Sequence, residues 1–294
     1  MDDLLSLYER RLGIQGASFQ RIDHRDAMVA MVYLVTLPAG KQFILKRCVR
    51  SFDYFHEVFF LNFFAGKLPV PHIFEAIPPD TSLDGVILME YLPGSLLSNI
   101  ILTDHLAFEI GKLLAQVHIN RTEGYGDLLQ KNELRTDPKF YFTLKFQEGL
   151  EECSEHLPAA LIEKCRLYYD QHISLLSSLD GPCIVHRDFR PGNLIVHEGK
   201  IQGLIDWSAC RASFAEEDFC FLMHGKRPIS VEMTKSFLSG YATIRPVPNY
   251  EAIMPLLRLS KAVAAIGFTV KRRTWANVHS DFYLANREFL EMIF

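Results

Sequence analysis

An α+β fold in two lobes is what this sequence predicts, with a sheet-rich first lobe over residues 1–91 and a mainly helical second lobe over residues 92–294. Three observations carry that expectation. At 294 residues the chain exceeds the usual size of one hydrophobic core, so a division in two is expected. Residues 17–91 alternate in short apolar runs around one Phe-rich segment, whereas beyond residue 103 apolar residues recur at helical spacing. Hydrophobic residues at 49% and charged residues at 22% are those of a folded globular chain and exclude extensive disorder.

Taken in order, Gln42-Phe43-Ile44-Leu45-Lys46 alternates as a strand and puts Lys46 on the face of Ile44, opposite Phe43 and Leu45. An ammonium inside an apolar strand is costly unless it meets water or an anion. The next segment, Phe52 to Ala65, is dense in Phe and Leu, with Gly66 as its helix stop. Glu57 is its one acid after Asp53, and we pair it with Lys46; the alternative is a lysine snorkelling from a sheet edge and a glutamate on a wet helix face. A strand over Val86 to Met89 leads into Glu90-Tyr91-Leu92, and Pro93-Gly94 turns the chain. Thr103 can cap a helix in which Leu106, Ile110, Leu113, Leu114 and Val117 share one face. Residues 137–177, 230–243, 249–272 and 279–292 read as further helix, their aromatic and Leu stripes assigned to the core.

The densest chemistry lies between these helices. Pro182 precedes the apolar run Cys183-Ile184-Val185, which delivers His186 and Asp188 at a strand end. Pro191-Gly192 then forces a turn, so Asp188 and Asn193 can face one site from opposite sides of a loop. Leu194-Ile195-Val196, a Glu-Gly-Lys turn and Ile201 to Ile205 form a hairpin, and Asp206-Trp207 emerges at its end. His, Asp and Asn are ordinary turn residues when met singly. In the spacing H-x-D-x-x-x-x-N followed by a strand-terminal Asp, they supply what phosphoryl transfer needs: Asp188 to accept a hydroxyl proton, Asn193 and Asp206 to hold Mg²⁺.

These residues carry a resemblance. Together with Val86 to Gly94, Leu114-Ala115-Gln116-Val117-His118 and Gly124-Tyr125-Gly126-Asp127-Leu128, they make the chain resemble the aminoglycoside phosphotransferase and choline kinase-like family. The matches run in the family's order from about residue 20 to 222; the Asp188 loop with Ile205-Asp206-Trp207 is the most specific. The resemblance implies a bilobal protein kinase-like fold, use of ATP or GTP with Mg²⁺, and phosphorylation of a small molecule's hydroxyl. It further implies that Lys46, held by Glu57, faces the nucleotide phosphates, and that Glu90, Tyr91 and Leu92 form the hinge holding the base. Two departures stand out. The nucleotide turn, His24-Arg25-Asp26-Ala27-Met28, has no glycine, and Arg187 stands where Gly is common. Arg190 can stabilise charge on the transferred phosphoryl group; its alternative role is a surface salt bridge.

The acceptor is less constrained. Glu216 and Glu217, with Asp218, follow Asp206, and Glu148, Glu151, Glu152 and Glu155 cluster in a helix. Acidic walls there would attract an aminoglycoside-like polycation, the acceptor we expect, with an antibiotic-resistance role. Charge runs are equally often solvated faces, and Asp218 reads as a brace for its loop. Choline, a sugar or a macrolide are alternative acceptors. A protein kinase is disfavoured because Trp207, not Phe-Gly, follows Asp206, and a catalytically silent nucleotide-binding protein is the third class. A net charge of −4 gives no footprint for nucleic acid. Six cysteines without C-x-x-C spacing, no signal peptide and no long apolar run lead us to expect a cytoplasmic protein with reduced thiols and no membrane partner.

Overall fold

The computed structural model describes residues 3–23, 30–223 and 229–294, so the glycine-free turn His24 to Met28 lies outside the described residues. Along the chain, α1 (Asp3–Arg11) precedes the strands β1 (Ser18–Ile22), β2 (Ala30–Thr36) and β3 (Gln42–Cys48). Helix α2 (Ser51–Phe64) follows, then β4 (Ile73–Ile77), β5 (Gly85–Glu90), β6 (Ser95–Leu96) and α3 (Asp104–His118). After α4 (Lys139–Cys153) and α5 (Ala159–His172) come β7 (Cys183–Val185), the hairpin β8 (Leu194–His197) and β9 (Lys200–Leu204), and β10 (Arg211–Ser213). Helices α6 (Val231–Ala242), α7 (Met254–Lys271) and α8 (Ser280–Ile293) complete it. The sheet-rich beginning and helical remainder are those expected from the sequence.

The residues group into two compact units, one of Met1–Gln116, His186–Cys210 and His224–Arg245, the other of Val117–Val185, Arg211–Met223 and Pro246–Phe294. In the first, five antiparallel strands run in the order β1-β2-β3-β5-β4. The alternation of β3 sorts its side chains as the sequence requires. Phe43 and Leu45 join Tyr8, Val35, Val86 and Leu88 in a core on one face, and Lys46 leaves from the other. A second sheet, β6-β8-β9, carries the loop from His186 to Asn193 on its central strand. Gly94 (φ 127°) is needed here, because a Cβ would run into the Val196 carbonyl. The β8–β9 turn uses Glu198 (φ 49°) and Gly199 (φ 73°), both left-handed, as a tight hairpin demands.

In the second unit α4, α5, α7 and α8 enclose an apolar core that includes Phe146, Leu150, Tyr169, Leu259, Val263 and Leu290. The helix expected over 137–177 is divided between α4 and α5, because Pro158 adopts an extended conformation (ψ 136°) and cannot continue a hydrogen-bonded turn. Likewise α7 begins only at Met254, with proline in its first turn. Thr103 does cap α3, its Oγ1 accepting from the Leu106 amide at 3.3 Å. Helix α1, of nine residues, was not evident from the sequence. All six cysteines are free thiols. No helix among the described residues is long and apolar enough to cross a membrane.

Candidate functional site

Two clusters of polar side chains, all in the first unit, form the candidate site. The first is built on β3 and α2. Lys46 Nζ lies 2.9 Å from Glu57 Oε2 and 2.8 Å from Asp206 Oδ1, so the pairing expected from the sequence forms and a second carboxylate completes it. Glu57 is turned inward with 2% of its side chain exposed, and the Trp207 backbone amide also donates to it. Burial alone would favour a neutral lysine. The flanking carboxylates of Asp206 and Glu57 outweigh it and hold the ammonium's pKa above its ordinary value.

The two acids respond differently. For Glu57, burial outweighs the attraction of Lys46 and leaves its carboxyl raised. For Asp206, burial also pushes upward, but Lys46, with smaller help from His186 and then the Ser208 hydroxyl, prevails and brings it down to about 2. The ammonium sits within hydrogen-bond reach of both, so we read Lys46 as charged and Asp206 as its anionic partner. The chain leaving β9 turns sharply two residues on: Asp206 adopts φ 66°, a conformation uncommon outside glycine. Several contacts hold it there. Trp207 is fully buried, donates Nε1–H to the Leu204 carbonyl at 3.0 Å and packs in tilted contact with the rings of Phe64 and His186, each ring centroid 4.6 Å away. From α2, His56 Nδ1 donates to the Cys210 carbonyl at 3.1 Å.

The second cluster is the loop between β7 and β8. Asn193 Nδ2 donates to the Asp188 carbonyl at 2.8 Å and to Asp188 Oδ2 at 2.7 Å. Arg190 Nε reaches both oxygens of that carboxylate, at 3.2 and 3.0 Å. Arg190 therefore makes a salt bridge with Asp188 itself, at 15% side-chain exposure. His186 Nε2 donates to the Ile205 carbonyl at 3.1 Å, and the Ile205 amide to the Asn193 carbonyl at 3.0 Å. These two bonds tie the Asp188 loop to the chain entering Asp206. Arg187, where the resemblance would lead to Gly, sits at φ 65°, which explains the expected glycine and marks a strained arginine.

The donors suit a hard cation. Both acceptors around Asn193 Nδ2 belong to Asp188, which fixes the amide and assigns its Oδ1 as the atom a metal would take; Asp206 offers a carboxylate oxygen. Amide and carboxylate oxygens fit Mg²⁺. Among the described residues no group of three or more His, Cys, Asp or Glu converges, so phosphate and water oxygens would complete such a sphere.

The remaining expected residues fall into two groups. Glu90 ends β5; its amide donates to the His72 carbonyl at 2.8 Å and its Oε2 accepts from the His72 amide at 3.2 Å, so its side chain braces β4 against β5. Tyr91 and Leu92 follow as the link to β6. Glu216 and Glu217 belong to the second unit and do not form the expected acidic surface. Glu216 is 1% exposed, and its carboxylate accepts from the Asp180 amide at 3.0 Å. Glu217 is taken up by Arg211, at 3.3 Å, and by the Ser213 hydroxyl. The partner of Glu216 lies on a distant segment, which a charge run does not reveal. Asp218 is a brace, as read from the sequence: it meets His118 Nε2 at 3.1 Å with both side chains fully buried. Ser208, whose hydroxyl donates to Asp206 Oδ1 at 3.2 Å, was not singled out from the sequence, although its place beside Ile205-Asp206-Trp207 could have drawn attention to it.

Known proteins resemble this chain in sequence and in fold. The homoserine kinase of Gluconobacter oxydans (strain 621H) is 27% identical over 206 residues, 67% of this chain, and the chain spans 62% of the length of that curated relative. The solved structure of the GDP and kanamycin complex of APH(2")-IIia superposes with a TM-score of 0.71 at 14% identity, covering 99% of this chain and 96% of that one. The macrolide 2'-phosphotransferase MphH from Brachybacterium faecium, an apoenzyme, gives 0.67 at 19% identity, with 97% and 98% covered. At such identities these structures speak for the fold, which is the kinase-like one expected. The family profile described as "Phosphotransferase enzyme family" matches residues 28–256, well over half of the chain. This chain belongs to the phosphotransferase enzyme family.

Proposed function

We propose that this chain is a kinase that transfers the γ-phosphoryl group of ATP or GTP to a hydroxyl of a small molecule, with residues 1–91 holding the nucleotide and residues 92–294 supplying the base and the acceptor site. The observation that carries this reading is the pair of clusters just described, a carboxylate held by Asn193 and Arg190 and a lysine held by two acids. Asp188 accepts the acceptor's hydroxyl proton while the oxygen attacks the γ-phosphorus and the bond to the β-bridging oxygen breaks. Arg190 and Asn193 hold that carboxylate before the acceptor arrives, so little reorganisation is left for the reaction. We assign to the Arg190 guanidinium, held on Asp188, the stabilisation of charge on the moving phosphoryl group.

Lys46 is kept charged and pointed by Glu57 for the α- and β-phosphates. Asn193 and Asp206 are the side chains that would hold Mg²⁺, which would offset the charge of the nucleotide phosphates. Because the Glu90 amide is used within the sheet, the backbone of Tyr91 and Leu92 is left to meet the base. For the acceptor, the aminoglycoside-like expectation loses its support from Glu216, which is buried, and from Glu217, which is engaged by Arg211. Homoserine and kanamycin, named with two of the similar proteins, both join a hydroxyl to an amine. A small hydroxylated amine is therefore the class we favour. Nucleotide consumption with Mg²⁺ against homoserine, kanamycin, a macrolide, choline and a generic protein substrate tests this. Turnover with one small alcohol is expected; failure to bind either ATP or GTP in the presence of Mg²⁺ would overturn the reading.

A further inference from the structure

We infer that Ser208 is a positioning residue that assigns the two oxygens of Asp206 to different tasks, one to Lys46 and one to the metal. The inference rests on the proposed reading of Asp206 as a metal ligand. Asp206 Oδ1 is met by two donors, Lys46 Nζ at 2.8 Å and the Ser208 hydroxyl at 3.2 Å. A carboxylate oxygen with both lone-pair directions occupied by donors is a poor site for a cation, so Oδ2 becomes the metal oxygen. With Lys46 alone, a carboxylate can turn about its terminal torsion, which is broad and two-fold, and present either oxygen. The second donor, coming from two residues further along the same turn, removes that freedom.

The backbone gives the turn its need for such a brace. Asp206 sits at φ 66° between a carbonyl held by His186 and an amide, that of Trp207, held by Glu57. Those bonds fix the peptide groups on either side of Asp206 but leave its side chain to rotate. Ser208 is the one residue of this segment whose side chain bonds the Asp206 carboxylate among the contacts described. Alanine would remove the hydroxyl at almost no change in volume, and threonine would keep it while adding a methyl group.

Calorimetric titration of ADP at graded MgCl₂ tests the assignment, using the full chain and its Ser208→Ala and Ser208→Thr variants. Hydrogen bonds to charged groups contribute enough that losing a long one should raise the half-saturating Mg²⁺ concentration about tenfold. ADP affinity at saturating Mg²⁺ should stay near wild type, Ser208→Thr should restore the Mg²⁺ dependence, and the melting temperature of both variants should follow wild type. A Ser208→Ala protein with wild-type Mg²⁺ dependence overturns the role of Ser208 while leaving Asp206 as a ligand. A wild-type protein whose ADP binding ignores Mg²⁺ overturns the reading of Asp206, and the inference with it.

Discussion

Removal of the Glu57 carboxylate is the perturbation whose size follows most directly from the packing. Glu57 is 2% exposed and Lys46 is 10% exposed, so neither charge can retreat into water. Deleting one member of a buried pair commonly costs about 3–5 kcal/mol, because the other charge is left uncompensated. Here Lys46 keeps Asp206 at 2.8 Å, which places Glu57→Ala at the lower end, about 3 kcal/mol. On the scale of a domain this large, that loss lowers the melting temperature by about 6–12 °C. Glu57→Gln should cost less, since its amide oxygen can still accept from the Trp207 amide. Calorimetric melting and urea unfolding measure both. The decisive control is a Lys46→Met background, in which the cost of Glu57→Ala should largely vanish because the coupling partner is gone. An alanine variant that melts with wild type, or one whose loss is undiminished without Lys46, would refute the coupling.

Two further outcomes concern charge and burial elsewhere. Asp206 is held at about 2 against an ordinary 3.8, so its contribution is complete above the ordinary value and is lost as pH falls between the two. With 38% of its side chain exposed, screening leaves a contribution of only about 1 kcal/mol; urea unfolding should show Asp206→Asn weaker than wild type by that amount near neutral pH and equal to it by about pH 2. A gap that does not narrow in acid would contradict the assignment. For Glu216, 1% exposed and bonded to the Asp180 amide, Glu216→Lys should destabilise by roughly 2–4 kcal/mol through an unpaired buried charge. Wild-type stability joined to a raised KM for a cationic acceptor would instead restore the acidic surface expected from the sequence.

The parts of the site that could be read from sequence are those whose chemistry is compressed into a few residues. Asp188, Asn193 and Asp206 stand in one loop-and-hairpin segment, and turn residues set its geometry locally. Lys46 and Glu57 belong to neighbouring elements, and a buried lysine demands an acid. The cap at Thr103 and the hairpin turn at Glu198-Gly199 were legible for the same reason, since backbone conformation there depends on adjacent residues. Burial of Glu216 was not legible, because the Asp180 amide reaches it from a distant segment; Glu217 is taken up closer by, by Arg211 and Ser213 of the short strand β10, which shows no period of its own. The two- and three-residue strands β6 and β10 are too short to show any period and exist only through their partners β8 and β7. Helix α1 escaped notice because it begins in an acidic N-terminal stretch, and its Tyr8 and Leu4 become core only once the sheet is present.

The most direct test of phosphoryl transfer through Asp188 is single-turnover ³¹P NMR with ATP, Mg²⁺ and the acceptor found by the consumption screen, comparing wild type with Asp188→Asn. Asparagine preserves the shape of a side chain held by Asn193 and Arg190 but cannot take the hydroxyl proton. Wild type should convert the γ-phosphate resonance into a phosphomonoester, while the variant should bind nucleotide with nearly unchanged affinity and transfer it about 10²–10⁴-fold more slowly. Transfer by Asp188→Asn within a few-fold of the wild-type rate would contradict the role of Asp188 as the base.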